Sequence, residues 1–321
     1  MSIPLSLLMA LILAWLGLRF RNLMEGERLL LDIGYESWLA RMDLRVLDEQ
    51  CANRADRSDV IISLTSIPSR LPLIEPALKS LLNQSRAPRE IRLHLPKYSR
   101  REQTAYVVPE ALRGLRCVKI VECERDWGPA TKFIPAILAL PDEQPLLVVD
   151  DDRIYPPNLI ADLEAAAREL PDAALGMSGW IAPPDLIDRP TTLWSNLKMQ
   201  PPAPVRAPRL KRPYEVDILQ GLSGYWLRPG FFDRDRLVDY SSAPGAAFFV
   251  DDVWMSAQCR ARKYVIPTRR SNFPVKRWFV RHKQSSLGYL NRGGGDVNQR
   301  NNTLMLKHFA QRWSVGARQS R

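Results

Sequence analysis

Apolar positions along this chain fall into a few distinct spacings, and each predicts a different element. Ile3 to Leu18 is a sixteen-residue apolar run interrupted only by Pro4 and Ser6, and Arg19-Phe20-Arg21 follows at once. Extended by Phe20 and the stems of the arginines, it approaches the roughly 20 residues that cross a bilayer core. A signal peptide carries its charges before the apolar stretch and a small-residue cleavage site after it. Here the charges follow, so the run reads as an uncleaved single-pass anchor, with an interfacial helix or a cleaved signal as the alternatives. Arg19 and Arg21 then place the remainder in the cytoplasm. From Glu25 to Leu47, the residues Leu29, Leu30, Ile33, Trp38, Met42 and Leu47 recur at near-helical intervals. They predict one amphipathic helix lying against the membrane or the main domain.

Beyond residue 57 strand and helix patterns alternate. Asp59–Leu64 is a β-branched run, ended by Thr65-Ser66-Ile67-Pro68-Ser69-Arg70, and Leu73, Ile74, Ala77, Leu78, Leu81 and Leu82 then mark one face of a helix. Ile91–Leu95, closed by Pro96, and Val118–Cys123 predict strands, and Phe133–Leu140 a helix. Pro145–Val149 is wholly apolar, as a strand at the centre of a parallel sheet covered on both faces must be. This order predicts an open α/β sheet with ligands at the carboxyl ends of its strands. Pro183–Pro213 contains eight prolines and reads as a long loop over the sheet edge.

Composition narrows the chemistry. With 45% hydrophobic and 25% charged residues the 321-residue chain is not a disordered one. Its net charge of +11 is concentrated at one end: Pro201–Arg321 holds 22 basic and 8 acidic residues. That excess calls for an anionic partner, a phosphate or an acidic membrane surface. Nucleic acid is set aside because no RNP, helix-turn-helix or zinc motif is present. Cys51, Cys117, Cys123 and Cys259 lack zinc spacing and are too few for a disulfide framework, as expected of buried thiols in a reducing compartment. Met305, Phe309 and Trp313 recur every four residues among basic ones, a stripe suited either to a membrane surface or to docking on the core. His94, inside an apolar strand, reads as a packed core residue.

The richest motif is Asp150-Asp151-Asp152, directly after the apolar central strand. Three consecutive carboxylates repel one another unless cations or donors compensate them. Mg²⁺ and Mn²⁺ take carboxylate oxygens and complete their shells with phosphate and water. Alternation along an extended strand end would aim Asp150 and Asp152 at one ligand and Asp151 elsewhere. The plain alternative is a solvated acidic turn.

Val148-Val149-Asp150-Asp151-Asp152-Arg153-Ile154-Tyr155-Pro156-Pro157 resembles the DxD region of GT-A nucleotide-sugar glycosyltransferases. Ser63–Arg70, Trp127–Lys132, Gln220–Tyr225 and Phe249–Trp254 fall in matching order. The pattern is similar to bacterial family-2-like enzymes and, more distantly, to the exostosin C-terminal domain. It covers roughly residues 58–315, leaving 1–21 as anchor and 22–57 as a membrane-proximal helical segment. Within it, 58–182 would form the nucleotide-binding half and 214–315 the acceptor side.

The resemblance implies a hexosyl- or N-acetylhexosaminyl-transferase with Mn²⁺ or Mg²⁺ as cofactor, a nucleotide-sugar donor and a glycan or lipid-linked acceptor. It implies that Thr65 and Arg70 border the nucleotide, that Asp150 and Asp151 lie on the donor side, and that Lys132 adds positive charge there. Asp152, with Asp150 and His282, would hold the metal. Asp252, with Asp251 beside it, would act on the acceptor hydroxyl, although two acids opening a helix also simply favour its dipole. Ser285–Gly288 and Asn291–Gly295 would close over the diphosphate. Two other classes stay open: a metal-dependent nucleotidyl or phosphoryl transferase, and a non-catalytic membrane adaptor with a degenerate transferase fold. A haloacid dehalogenase-type phosphatase is excluded by Asp152-Arg153-Ile154.

Overall fold

A computed structural model describes residues 5–275, 287–291 and 295–319 of the chain. Its centre is an eight-stranded sheet built from β1 (Ile61–Thr65), β2 (Glu90–Pro96), β3 (Val118–Cys123), β4 (Leu146–Val148), β5 (Ala173–Gly176), β6 (Tyr214–Val216), β7 (Tyr225–Leu227) and β8 (Arg262–Val265). The spatial order is β6-β8-β5-β7-β4-β1-β2-β3. β4, β1, β2 and β3 run parallel, β7 enters antiparallel between β4 and β5, and β8 is parallel to β5. The fold is therefore mixed α/β, with a large, mostly parallel sheet flanked by helices, as the alternating pattern requires.

The side chains explain the layout. Leu146, Leu147, Val148 and Val149 are fully buried, so both faces of β4 are covered. On β1, Ile61, Ile62 and Leu64 are likewise buried, and Ser63 is accommodated because its hydroxyl donates to the Lys132 carbonyl at 2.6 Å. His94 on β2 is buried, as the sequence predicts. Burial and the nearby Arg92 push its imidazole down to about 4. All four cysteines are free and buried.

The N-terminal region departs from the expected single amphipathic helix. Helix α1 (Leu5–Glu25) runs straight through Arg19 and Arg21, α2 spans Leu29–Arg41, and α3 spans Leu44–Ala52. Asp43 separates the last two: its carboxylate accepts from the Arg45 and Val46 amides, starting a new helix where the apolar spacing alone would continue the old one. Over Ser6–Glu25 α1 is long and apolar enough to cross a membrane, with a mean hydropathy of 1.5, and most of its large side chains are exposed, Met24 being buried. The same outward apolar surface continues on α2 through Leu30, Leu31, Ile33 and Trp38, while Leu39, Leu44 and Leu47 turn inward.

α1 is seated on the domain rather than hung from it. Arg206 donates to the Glu25 carbonyl at 2.9 Å and pairs with its carboxylate at 3.4 Å, and the buried Asp32 of α2 pairs with Arg270 at 3.3 Å. The proline-rich stretch that supplies Arg206 is ordered: it contains the helix Leu193–Lys198 and the strand Val205–Arg206, which pairs with Ser178–Trp180. At the C-terminal end, Met305 and Trp313 are buried and Phe309 packs against the core, so this stripe docks on the domain. It is not one helix, since Asn301–His308 gives way to a 3₁₀ turn at Ala310–Arg312.

Candidate active site

The parallel strands deliver their C-terminal ends to one cavity of about 490 Å³. Thr65, Arg70, Lys132, Asp150, Asp151, Asp152, Asp251 and Asp252 all line it. Every candidate site residue named from the sequence is thus brought to one place, except His282, which lies outside the described residues. Of the two segments expected to close over the donor, Leu287, Gly288 and Asn291 reach the cavity; most of the remainder is outside the described residues.

Five of the carboxylates lining the cavity cluster around Lys132 and Arg70. Lys132, at the end of the 3₁₀ helix Gly128–Lys132, is buried, and its Nζ lies 2.7 Å from Asp150 Oδ1, 2.6 Å from Asp251 Oδ2 and 3.9 Å from Asp252 Oδ1. Burial alone would push this ammonium down, but Asp150 and Asp251 outweigh it and hold Lys132 well above its ordinary value. It is a charged strut, not the solvated lysine of a helix start. The Asp251 contact is an ion pair outside hydrogen-bond angles, so that Oδ2 keeps acceptor capacity.

Arg70 is the second cation. It pairs with Asp151 at 3.1 Å and more closely with Asp152. Burial opposes its charge, and the three aspartates overcome that and keep it protonated. Asp151 is buried and also accepts from the Ser66 hydroxyl at 2.5 Å. Burial pushes its carboxyl up to about 6 against the pull of Arg70, with Asp152 adding to the rise.

Asp151 is turned inward while Asp150 and Asp152 keep open surface on the cavity, although strand geometry does not continue through the triplet. β4 ends at Val148 and the chain turns at Asp151-Asp152, so neighbouring side chains are no longer related by the pleat. Asp151 and Asp152 share Arg70, while Asp150 faces Lys132. The turn is pinned by Tyr155, whose buried hydroxyl accepts from the Asp150 amide at 2.8 Å.

Asp251 and Asp252 open the helix Asp251–Gln258, so they also complement its dipole. Asp252 does more: Oδ1 accepts from the Gly221 amide at 2.9 Å, and 26% of its side chain remains exposed. Burial and the Asp251 charge raise its carboxyl well above the ordinary value, with Lys132 pulling the other way. Gly221 sits where a Cβ would collide with Lys132 Nζ and come within 3.0 Å of Asp252 Oδ1. Gly128, at φ +64°, starts the 3₁₀ helix where a Cβ would lie 2.5 Å from the Phe248 carbonyl. The approach at Gly128, to backbone and at positive φ, is one that only glycine permits, whereas at Gly221 an added Cβ would force the Lys132 ammonium to shift.

The donor set is hard oxygen. Asp150 and Asp152 keep 27% and 23% of their side-chain surface open, which suits a cation taking one or two protein carboxylates and completing its shell with phosphate and water. Among the described residues no three His, Cys, Asp or Glu side chains form a ready-made metal cluster.

Several lining residues have no counterpart in the sequence reading. Arg101, Tyr106 and Asp126 face the cavity from loops, Trp180 from the strand Ser178–Trp180 and Asn302 from the helix Asn301–His308, and the placing of each depends on tertiary packing. Asp126 alone carried a local signal, an acid two residues before Gly128 whose carboxylate accepts from that glycine's amide at 2.7 Å.

No family model matches the sequence, and no curated protein matches it significantly. Among solved structures, the chain is similar to GalNAc-T7 crystallised with UDP, GalNAc and Mn²⁺ (15% identity, TM-score 0.41), covering 68% of this chain and 43% of that one. The chain thus spans less than half the length of that protein. It is also similar to S. aureus TarS residues 1–349 (14% identity, TM-score 0.41; 81% of this chain, 72% of that one). A third is 4-diphosphocytidyl-2C-methyl-D-erythritol synthase (11% identity, TM-score 0.40; 73% of this chain, 98% of that one). The chemistry is read from the site itself.

Proposed function

We propose that this chain is a membrane-associated, metal-dependent glycosyltransferase that moves a sugar from a nucleotide-sugar donor to an acceptor hydroxyl, in the hexosyl- or N-acetylhexosaminyl-transferase class. The observation that carries the reading is the convergence of the strand-tip aspartates, the helix-opening Asp251-Asp252 pair, Arg70 and Lys132 on one cavity large enough for a nucleotide sugar. A departing nucleoside diphosphate gains negative charge, which fixed cations stabilise.

Asp152, with Asp150, would hold Mn²⁺ or Mg²⁺, and the metal would supply positive charge to the diphosphate. Arg70 balances Asp151 and Asp152 in the arrangement seen here and is placed to turn toward phosphate once those acids are otherwise neutralised. Lys132 keeps Asp150 and the Asp251-Asp252 pair at fixed distances from each other. Asp252 would orient the acceptor hydroxyl and, in an inverting reaction, take its proton; a carboxyl raised by burial is a better base for that step than a solvated one. α1 would anchor the protein in a membrane with the catalytic domain on the cytoplasmic side, facing a surface glycan or a lipid-linked acceptor.

The test is a panel of nucleotide sugars with Mn²⁺, following hydrolysis and transfer in the native protein and in Asp152→Ala. The expected result is metal-dependent turnover of one donor, lost by a factor of about 10² or more in the variant. Diphosphate release from a nucleoside triphosphate would instead indicate a nucleotidyltransferase. Absence of donor binding and turnover across the panel would indicate a non-catalytic adaptor.

A further inference from the structure

A second cavity, of about 620 Å³, lies away from the carboxylates, where α1 and α2 meet the loops carrying Pro208-Arg209 and Arg269. Its wall has two characters. Leucine side chains of both helices, Leu30 and Leu31 among them, are continuous with the exposed apolar surface of α1. Arg19, Arg28, Arg209 and Arg269 supply guanidinium groups. The one acid in the wall, Glu27, pairs with Arg21 at 2.8 Å, and the nearby Glu25 and Asp32 pair with Arg206 and Arg270. Arg209 donates to the carbonyls of Asn196 and Leu197, neutral acceptors that leave its charge uncompensated. Consistent with that, burial and the neighbouring Arg206 lower its guanidinium from the usual value.

We propose that this groove holds the phosphate of an anionic glycerophospholipid, its acyl chains lying along α1. The inference rests on the reading of α1 as a membrane helix, and it adds a specific lipid class and site to that reading. Position and charge both favour a lipid over a free anion. The arginines sit at the C-terminal end of the apolar helix, which is headgroup depth for an inserted α1, and the wall beside them is hydrocarbon. Leu193 and Trp194, 61% and 66% exposed, lie on the short helix whose carbonyls hold Arg209, an arrangement suited to an interfacial aromatic.

The test uses the full chain in neutral detergent, titrated with phosphatidylglycerol or phosphatidylcholine while lipid binding is counted by native mass spectrometry. Arg28→Gln with Arg269→Gln removes two exposed cations outside the catalytic cavity; because Arg269 also acts on the half-buried Asp162, an unchanged melting temperature is required of the double variant before its lipid binding is compared. Phosphatidylglycerol should bind more tightly than phosphatidylcholine. With each arginine worth about fivefold, the double variant should weaken it about 25-fold and leave phosphatidylcholine unchanged. Equal affinity for the two lipids, or an unchanged preference in the double variant, overturns the proposal. So does glycerol 3-phosphate binding as tightly as phosphatidylglycerol, which would make the groove a site for free anions. The underlying membrane reading is checked separately: release of the protein from phosphatidylcholine proteoliposomes by alkaline carbonate would remove it.

Discussion

Replacing Lys132 by methionine removes one charge from the middle of three carboxylates while keeping the length and much of the apolar stem of the side chain. At an effective dielectric of 20, attraction across the 2.6 and 2.7 Å contacts is about 6 kcal/mol each before desolvation. Desolvation of a buried ammonium offsets most of that, and breaking a buried ion pair from one side costs a net 3–5 kcal/mol or about that. For a chain of this length, at about 2.1 cal/mol/K per residue, such a loss lowers the melting temperature by roughly 6 °C.

The deficit depends on pH with a definite sign. Asp252 is already held above its unfolded value, so the folded state binds more protons than the unfolded one in the interval between the two. That makes its contribution fall as pH rises through the interval. Removing Lys132 raises the carboxyl further and extends the fall to higher pH. Thermal unfolding at pH 5 and pH 8 should therefore show a larger loss at pH 8, and Mn²⁺ should recover part of it. An unchanged melting temperature, or an equal loss at both pH values, would refute the strut.

Gly221→Ala places a methyl group against Lys132 Nζ and Asp252 Oδ1; we expect a stability loss of about 1–3 kcal/mol by urea titration, together with a fall in donor turnover larger than the effect on donor binding. Neutral, buried His94 should cost stability as pH falls from its unfolded value near 6.5 to about 4, because the unfolded chain protonates first; the shift corresponds to about 3 kcal/mol. Denaturant melts of the native protein and His94→Gln over that interval measure it, and equal pH dependence in the two would contradict the assignment.

What the sequence made legible, and what it hid, follows from the range of the interactions involved. β4 could be read because a strand covered on both faces is apolar without interruption, and the acids at its end because they are contiguous. The role of Lys132 could not, since burial of that ammonium depends on Asp150, Asp251 and Asp252, distant in sequence and joined only by the sheet. The outward placing of Asp150 and Asp152 was legible, but not their different cations: the pleat stops at Val148, and the turn that follows gives Asp152 to Arg70 and Asp150 to Lys132. Asp43 hid in an unbroken apolar period, although an aspartate that caps two amides is a helix boundary whatever the spacing around it. The antiparallel entry of β7 beside β4 left no trace in either strand, because hydrophobicity records burial and not direction.

Only Gly26-Glu27-Arg28 separates the end of α1 from the start of α2, and both ends of that joint are clamped to the domain. A helix of 21 residues is about 31 Å long, close to one bilayer core. On the proposed reading, with α1 inserted, the chain would have no stalk: the mouth of its cavity would ride at a nearly constant height above the lipid, unable to sample the aqueous space around it. Such a geometry favours acceptors that drift laterally in the same leaflet and filters out those whose reactive hydroxyl hangs too far from the surface, so that reach, as much as recognition, would set which molecules are modified.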